Sequence, residues 1–213
     1  MLFRWLITAF GLLLITSEAQ GVEQTVSYSS SHSQMTYAPV RGKALPPIGF
    51  VDFCKRHRQE CLPTGSATKV LLTGKRWKQL HEVNASVNST IEPISDQELY
   101  GVPERWEYPV NAGDCEDYAL LKKRYLERLG FAAGSLLLAV VLDEAGEGHA
   151  VLMVITDRGE VVLDNRRNQV LLWNETSYHF LKRQSQEDPA LWIALSPAGE
   201  TPLVGASEGT SGE

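Results

Sequence analysis

The amino-acid sequence predicts an α+β fold, with N-terminal helices packed on an antiparallel β-sheet. Residues 116–129 carry apolar side chains at spacings of three and four, which is the period of an amphipathic helix. Beyond residue 134 the pattern changes to short apolar runs separated by the turn sequences DEAGEG and DRGE, which are typical of hairpin-connected strands. Helices followed by a run of strands indicate an α+β domain rather than alternating α/β units.

The first 19 residues have the pattern of a secretory signal peptide. Arg4 precedes an apolar run at residues 6–15, and Ser17-Glu18-Ala19 forms a small-x-small cleavage site. The apolar run is too short to span a membrane, although an uncleaved anchor is the alternative interpretation. We therefore predict that the signal peptide is cleaved and that the mature protein is periplasmic.

One folded domain is predicted between two less ordered segments. Residues 20–45 are rich in serine and have little apolar periodicity, so we predict a flexible segment there. The domain covers residues 46–198, and the Gly- and Ser-rich residues 199–213 are predicted to form a disordered tail. The formal charge of -6 over 213 residues argues against nucleic acid as a partner.

The N-terminal part of the domain is predicted to contain an interrupted helix followed by a shaped loop. Residues 68–91 have a helical apolar pattern with a break at Gly74. Asn84 and Asn88 are four residues apart and lie on one face of this helix. Three interpretations are open for their side chains: they cap a neighbouring element, they face solvent, or they reach a functional site. Residues 94–109 are polar, aromatic and interrupted by proline, which indicates a loop.

The C-terminal part of the domain is predicted to consist of strands. Continuous apolar runs at residues 135–142 and 149–156 indicate two buried strands. Shorter runs predict three further strands at residues 161–164, 169–173 and 191–195. The amphipathic helix would pack on the sheet that these strands form.

The three cysteines divide into a local pair and a single residue. Cys54 and Cys61 are close enough in sequence to form a disulfide in an oxidising compartment, and the alternative is a pair of reduced core thiols. Cys115 is then the odd cysteine. An unpaired thiol in an exported protein indicates chemistry rather than crosslinking.

Cys115 lies in the first turn of the predicted amphipathic helix, after residues 111–114, which supply a turn and a side-chain cap. The helix dipole favours the thiolate of Cys115, whereas the carboxylates of Asp114, Glu116 and Asp117 oppose its ionisation. A divalent cation held by these carboxylates would reverse the sign of the local field. Alternatively, they are ordinary first-turn acids beside a small core cysteine.

The order of Cys115, His149 and Asp164 matches the requirements of a cysteine-protease site. Such a site needs a thiolate, an imidazole that exchanges its proton, and a polar group that orients the imidazole. His149 begins one predicted strand and Asp164 ends the next. Taken singly, His149 is equally well explained as a core histidine and Asp164 as a turn initiator.

Strand register decides whether His149 and Asp164 meet. A tight turn at residues 158–159 would place Asp164 opposite Met153, on the same face of the sheet as His149. That register separates the two residues by about 13 Å along the ladder, which is too far for a hydrogen bond. A bulge, a strong twist or a different turn is therefore needed to bring them together.

Three sequence motifs resemble those of a known family. They are GDCEDYALLK at residues 113–122, GHAVLMV at residues 148–154 and VVLDNR at residues 161–166. In these segments the chain resembles the bacterial transglutaminase-like cysteine proteinases. The resemblance implies a papain-like, transglutaminase-type core, with Cys115 as nucleophile, His149 as general base and then acid, and Asp164 as the residue that orients His149.

The resemblance also implies a calcium cofactor. Its ligands would be drawn from Asp114, Glu116 and Asp117, by match of the GDCEDYALLK motif. Calcium usually takes six to eight oxygen ligands, so backbone carbonyls, waters or another acid such as Asp96 would complete the shell.

Substrate and partners are implied by the same resemblance. Periplasmic members of the family process large surface adhesins of biofilms, and an inner-membrane receptor that responds to cyclic di-GMP sequesters them. This chain departs from such members in its CKRHRQEC and KRQSQEDP segments, which places its own substrate in question.

Three functions remain open at this stage. The first is an exported, calcium-dependent cysteine endopeptidase that acts through an acyl-enzyme. The second is protein transamidation, in which an amine instead of water resolves the same acyl-enzyme. The third is a non-catalytic, calcium-responsive binding module in which Cys115 does not react.

Overall fold

The computed structural model describes residues 36–197, all within the unit Ser31–Glu213. The predicted signal peptide at residues 1–19 and the predicted tail at residues 199–213 lie outside the described residues. Within the described part of the chain, none of the helices is long and apolar enough to cross a membrane.

Four α-helices occupy the first two thirds of the described chain. They are α1 at Ile48–Arg56, α2 at Gly74–Thr90, α3 at Asp96–Tyr100 and α4 at Cys115–Arg128. Gly74 is the first residue of α2, because the Thr73 side chain accepts a hydrogen bond from the Arg76 amide and caps the helix there. The short α3 forms within the segment for which the sequence indicates only a loop.

Within residues 36–197, nine strands are arranged in two sheets. They are β1 at Gly42–Ala44, β2 at Glu92–Pro93, β3 at Ala112–Gly113, β4 at Leu136–Leu142, β5 at Gly148–Thr156, β6 at Gly159–Asp164, β7 at Arg167–Leu172, β8 at His179–Gln184 and β9 at Trp192–Ala194. The main sheet has the order β1-β9-β8-β4-β5-β6-β7, and every neighbouring pair in it is antiparallel. Strands β2 and β3 form a small parallel pair.

The mixture of helices and an antiparallel sheet confirms the predicted α+β class. All five predicted strands are present in the main sheet, and its other two strands, β1 and β8, were not predicted from sequence, nor was the small pair β2 and β3. Strand β8 lies near the middle of the sheet, and its buried Arg183 and Gln184 conceal it from a search for apolar runs. Strand β1 pairs with β9, so the domain extends further toward the N-terminus than the predicted start at residue 46.

The main sheet is covered on both faces, which explains the continuous apolar runs of its central strands. On one face, Leu138, Leu152 and Leu163 belong to a core that the helices share. On the other face, Val141 and Met153 belong to a second, smaller core. Helix α4 packs against β5, and this contact brings the start of the helix to the start of the strand.

A disulfide between Cys54 and Cys61 connects the last turn of α1 to the following 3-10 turn, as the export prediction favours. Trp106 is buried and packs edge-on against Phe50 and Trp192, which assigns it to the core. Cys115 is the free cysteine.

Candidate active site

Cys115 is the first residue of α4, and Asp114 occupies the N-cap position. The predicted side-chain cap is absent, because the Asp114 carboxylate does not bond to the amides of its own helix. Its Oδ2 instead accepts a hydrogen bond from the backbone N–H of Asp96, at 3.2 Å. The carboxylate of Asp114 therefore faces α3 and leaves the amides at the start of α4 without this cap.

The Cys115 thiol lies beside the first residues of β5. Its Sγ accepts a hydrogen bond from the backbone N–H of Ala150 at 3.4 Å, and it donates to Glu116 Oε2 at 3.1 Å. Burial raises the pKa of the Cys115 thiol well above its usual value, and the charges of Glu116 and Asp114 raise it further. In this environment the neutral thiol is strongly favoured over the thiolate.

His149 and Asp164 form a buried pair next to this thiol. His149 Nε2 lies 2.9 Å from Asp164 Oδ1, and each residue is only 1% exposed. His149 directly precedes Ala150, whose backbone amide contacts the Cys115 sulfur. The structure thus pairs His149 with Asp164 and places the Cys115 sulfur against the residue that follows His149, while the catalytic roles of the three residues stay a prediction.

The predicted register between β5 and β6 is wrong by two residues. Thr156 pairs with Gly159 and Leu152 with Leu163, which puts the turn at residues 157–158. Continuing this register by one residue places Asp164 opposite Val151 instead of Met153. His149 and Asp164 are then diagonal neighbours on one face, close enough for their side chains to meet.

The Asp164 carboxylate is held by three hydrogen bonds and one ion pair. Oδ1 accepts from His149 and from the backbone N–H of Arg166 at 3.0 Å. Oδ2 accepts from the Tyr178 hydroxyl at 2.6 Å and pairs with Arg167 Nε at 3.2 Å. Burial alone would raise the pKa of Asp164, but the hydrogen bonds from His149 and Tyr178 outweigh it and hold the pKa well below its usual range.

Tyr178 and Arg167 were not identified by the sequence analysis. Arg167 is the first residue of β7 and Tyr178 directly precedes β8, and Arg167 Nη2 donates to the Tyr178 hydroxyl at 3.2 Å. Burial raises the pKa of Tyr178 to about 12, with the hydrogen bond to Asp164 acting in the same direction. The sequence signal that could have identified Arg167 is LDNRR, in which two arginines closely follow Asp164.

Asn84 and Asn88 reach the turn that follows Asp164. Asn88 Nδ2 donates to the backbone carbonyl of Asp164 at 2.9 Å, and Asn84 Nδ2 donates to that of Arg167 at 2.9 Å. Of the alternatives open from sequence, the structure therefore supports capping of a neighbouring element, here the turn that follows Asp164. Helix α2 fastens the turn between β6 and β7.

A cluster of three carboxylates lies at the base of α4. Asp96, Asp114 and Glu116 each offer an oxygen, and these oxygens lie within 4.8 Å of one another. Burial, reinforced by Asp114, raises the pKa of Asp96 to about 6. Burial and the charge of Asp114 also raise the pKa of Glu116 well above its usual value.

Asp117 lies close to this cluster but outside the group of mutually close oxygens. Its Oδ1 accepts from the backbone N–H of Glu107 at 2.7 Å, and burial raises its pKa to about 8. Gly113 is required beside it, because a Cβ at position 113 would collide with the Asp117 side chain. The predicted role of Asp117 as a metal ligand stays a prediction.

The acidic cluster has the chemistry of a hard-cation site. Within residues 36–197, Asp96 Oδ1, Asp114 Oδ1 and Asp117 Oδ2 are buried oxygens without a hydrogen-bond partner. Buried, unpartnered carboxylate oxygens are costly unless a positive charge neutralises them. Oxygen donors of this kind suit calcium, so the residues present fit that ion.

The arrangement provides the groups that acyl transfer requires. It has a thiol at a helix start, a buried imidazole and a carboxylate that can orient the imidazole. Backbone N–H groups at the start of a helix are suited to stabilising an oxyanion, and Cys115 lies at the start of α4.

Comparison with solved structures gives LapG from Legionella pneumophila. The calcium-bound structure has 23% identity, covers 56% of this chain and 70% of that chain, and gives a TM-score of 0.48. The EGTA-treated structure has 24% identity, covers 55% of this chain and 67% of that chain, and gives a TM-score of 0.47. No curated protein sequence matches the chain.

The sequence of the chain also matches a protein-family model. The model of the bacterial transglutaminase-like cysteine proteinases matches residues 40–200, which is well over half of the chain. This range contains the α4 cysteine, the β5 histidine and the β6 aspartate described above. The protein therefore belongs to the bacterial transglutaminase-like cysteine proteinases and is a cysteine peptidase of that type.

Proposed function

We propose that this protein is an exported, calcium-dependent cysteine endopeptidase in which Cys115 is the nucleophile, His149 the general base and acid, and Asp164 the residue that orients His149. The observation that carries this proposal is the buried hydrogen bond of 2.9 Å between His149 and Asp164. It lies next to the Ala150 amide that contacts the Cys115 sulfur.

The ionised carboxylate of Asp164 determines which tautomer the neutral His149 imidazole adopts. Because the pKa of Asp164 is held well below its usual range, its carboxylate is an acceptor and cannot donate. His149 Nε2 must then carry the proton of their hydrogen bond. In the neutral imidazole this leaves Nδ1 with a lone pair, which is the site that would take the Cys115 proton.

The reaction consists of two acyl transfers. The Cys115 sulfur attacks the carbonyl carbon of a peptide bond as its proton passes to His149, and backbone N–H groups at the start of α4 stabilise the oxyanion. The carbon–nitrogen bond then breaks as His149 protonates the departing amine. Water, deprotonated by His149, attacks the thioester, and cleavage of the carbon–sulfur bond releases the carboxylic acid product and the free thiol.

Asp96, Asp114 and Glu116 would hold the calcium ion, with Asp117 as a further predicted ligand. Bound calcium would supply positive charge next to Cys115, where Glu116 and Asp114 otherwise oppose the thiolate. The unpartnered oxygens of Asp96 and Asp114 support this assignment. The Asp114 carboxylate, which faces α3 instead of capping α4, is available to such an ion.

The location and substrate are proposed from the sequence. The signal-peptide pattern at residues 1–19 supports cleavage of the leader and a periplasmic mature protein. Resemblance to periplasmic family members supports a surface adhesin as substrate and a cyclic di-GMP-responsive inner-membrane receptor as partner. Cleavage of a large exported protein is consistent with an endopeptidase.

The proposed function is tested by digesting a proteome-derived peptide library with the mature protein in calcium buffer. Mass spectrometry of the products separates hydrolysis, which adds water to a new C-terminus, from transamidation, which joins an amine to it. We expect new C-termini with the wild type and none with Cys115→Ala. The control is the double variant Cys54→Ser and Cys61→Ser, which also removes cysteine sulfur but leaves Cys115 in place and should still cleave. Equal cleavage by Cys115→Ala would overturn the mechanism.

A further inference from the structure

We propose that Tyr178 is a positioning residue whose hydroxyl holds the Asp164 carboxylate in the orientation that His149 requires. The inference rests on the proposed function, because it concerns the same Asp164 and His149. Tyr178 lies directly before β8, fourteen residues after Asp164, and its hydroxyl lies 2.6 Å from Asp164 Oδ2.

The direction of this hydrogen bond follows from the neighbouring arginine. Arg167 Nη2 lies 3.2 Å from the Tyr178 hydroxyl, and a guanidinium can only donate. The hydroxyl therefore accepts from Arg167 and gives its own proton to Asp164. Since the pKa of Tyr178 is raised to about 12, the hydroxyl keeps that proton at neutral pH.

Tyr178 is the better restrained of the two donors to Asp164 Oδ2. The other donor, Arg167, has a side chain that is 30% exposed and also pairs with Glu144. Tyr178 is only 8% exposed, and the next residue, His179, pairs with Leu142 in the main sheet. Burial therefore restrains the Tyr178 hydroxyl, whereas the Arg167 guanidinium is more exposed and is shared with a surface acid.

Tyr178 also restrains the imidazole directly. Its ring packs edge-on against His149, with ring centroids 5.5 Å apart and an angle of 70° between the planes. One side chain thus contacts both members of the buried pair. Phenylalanine at this position would keep the ring contact and lose the two hydrogen bonds of the hydroxyl, the one to Asp164 and the one from Arg167, which separates positioning from packing.

Removing the Tyr178 hydroxyl should leave the Asp164 carboxylate less well oriented. Without the hydroxyl, Oδ2 keeps only its ion pair with Arg167, so the carboxylate is held less firmly and the hydrogen bond from His149 to Oδ1 weakens. A hydrogen bond to a charged group contributes enough free energy to change a rate by roughly ten-fold when it is lost. We expect Tyr178→Phe to slow the reactions of Cys115 by about that factor.

The test compares Tyr178→Phe with Tyr37→Phe in the full mature protein in calcium buffer. Tyr37 is a matched control, because its hydroxyl also donates one hydrogen bond, to the Thr156 carbonyl at 2.8 Å, and is not in contact with the buried pair. One readout is the proton resonance of His149 Nε2–H, assigned by its loss in His149→Gln. The other is the rate at which iodoacetamide alkylates Cys115 at neutral pH.

We expect Tyr178→Phe to move the His149 resonance upfield and to slow alkylation by about ten-fold, and Tyr37→Phe to change neither. An unchanged resonance and rate in Tyr178→Phe would overturn the inference, even if the variant melted at a lower temperature. If Tyr178→Phe does not fold, 3-fluorotyrosine at position 178 keeps the contacts and makes the hydroxyl a stronger donor. The resonance should then move in the opposite direction, downfield, because the carboxylate is held more firmly, and no movement would count against the role.

The failure of this inference is distinguishable from failure of the proposed function. If Cys115→Ala still cleaved peptides, the function would be wrong, whereas the His149 resonance would continue to report on Tyr178. If Cys115→Ala abolished cleavage and Tyr178→Phe left both readouts unchanged, the function would stand without a positioning role for Tyr178.

Discussion

Asn88 on α2 donates a hydrogen bond from its side-chain amide to the backbone carbonyl of Asp164, at a distance of 2.9 Å and across 76 residues of sequence. The same amide contacts the Arg167 carbonyl at 3.2 Å. A residue on a helix thereby holds the main chain of the turn from which the Asp164 side chain projects. Contacts of this kind position a side chain more rigidly than the turn could by itself.

Replacement of Asn88 by alanine should loosen this turn. We expect Asn88→Ala to lower the free energy of unfolding by about 1 kcal/mol, because two backbone carbonyls lose a donor. Alkylation of Cys115 should also slow, since Asp164 would orient His149 less well. Urea unfolding and iodoacetamide kinetics measure the two effects. Ser89→Ala, an exposed change on the same helix, is the control, and equal behaviour of the two variants would contradict the prediction.

Asp164→Asn should reduce turnover far more than it reduces stability. An asparagine amide has one oxygen and one NH₂ group, so it cannot accept from His149, Arg166, Tyr178 and Arg167 together. By analogy with other triads, we expect the rate of peptide cleavage to fall by a factor on the order of 10⁴. Mass-spectrometric product counts measure this loss. Asp157→Asn, where the carboxylate accepts from the Leu72 amide at an exposed turn, should retain full activity.

Lys122 should make stability depend on pH between neutral and alkaline conditions. Its side chain is fully buried, and burial lowers its pKa to about 7, with Asp164 acting in the opposite direction. Between pH 7 and about 10.5 the unfolded chain carries a proton at this lysine that the folded chain lacks. The free energy of unfolding should therefore rise with pH across that window and be lowest below it.

Lys122→Met should remove this dependence. Below pH 7 the native protein carries an unpaired buried charge, so we expect the variant to be more stable there by up to about 4 kcal/mol. Urea unfolding at pH 6 and pH 9 tests the prediction. Lys78→Met, at an exposed position on α2, should change neither value. If Lys122→Met were less stable than the wild type at pH 6, the Lys122 ammonium group would have to be stabilised by an interaction in the folded protein.

Removal of calcium should affect the protein through Asp96, Asp114 and Glu116. We expect saturating calcium to raise the free energy of unfolding by about 3 kcal/mol at one hundred times the dissociation constant. Asp96→Asn should abolish most of this gain, because the cluster loses one of its three charges. Calorimetric titration with calcium provides a direct readout. Glu82→Gln, an exposed change of the same type, should bind calcium normally.

Asp117→Asn tests the ligand predicted from sequence alone. If Asp117 Oδ2 binds the ion, the variant should lose calcium affinity to a degree similar to that of Asp96→Asn. Retention of full affinity would restrict the site to Asp96, Asp114 and Glu116 and leave Asp117 with its hydrogen bond to the Glu107 amide.

Local patterns were sufficient to predict the helix that begins at Cys115 and the hairpin strands that follow, because each has a period that a short window of sequence expresses. The register of that hairpin was not predictable. A shift of the turn by one residue moved Asp164 by two positions along its partner strand. Strand β8 was missed because its buried Arg183 is neutralised by Glu160, a partner 23 residues away.

The sequence by itself determined the α+β class, the helix start at which the free cysteine lies and the order of cysteine, histidine and aspartate, since these depend on neighbouring residues. Only the tertiary structure decided which groups surround Asp164 and which acids form the cluster. Tyr178, Asn88 and Asp96 reach the site from separate elements, and nothing in their local sequence specifies the partner. Burial brings these groups together, and the loss of water makes each hydrogen bond and charge among them strong enough to direct chemistry.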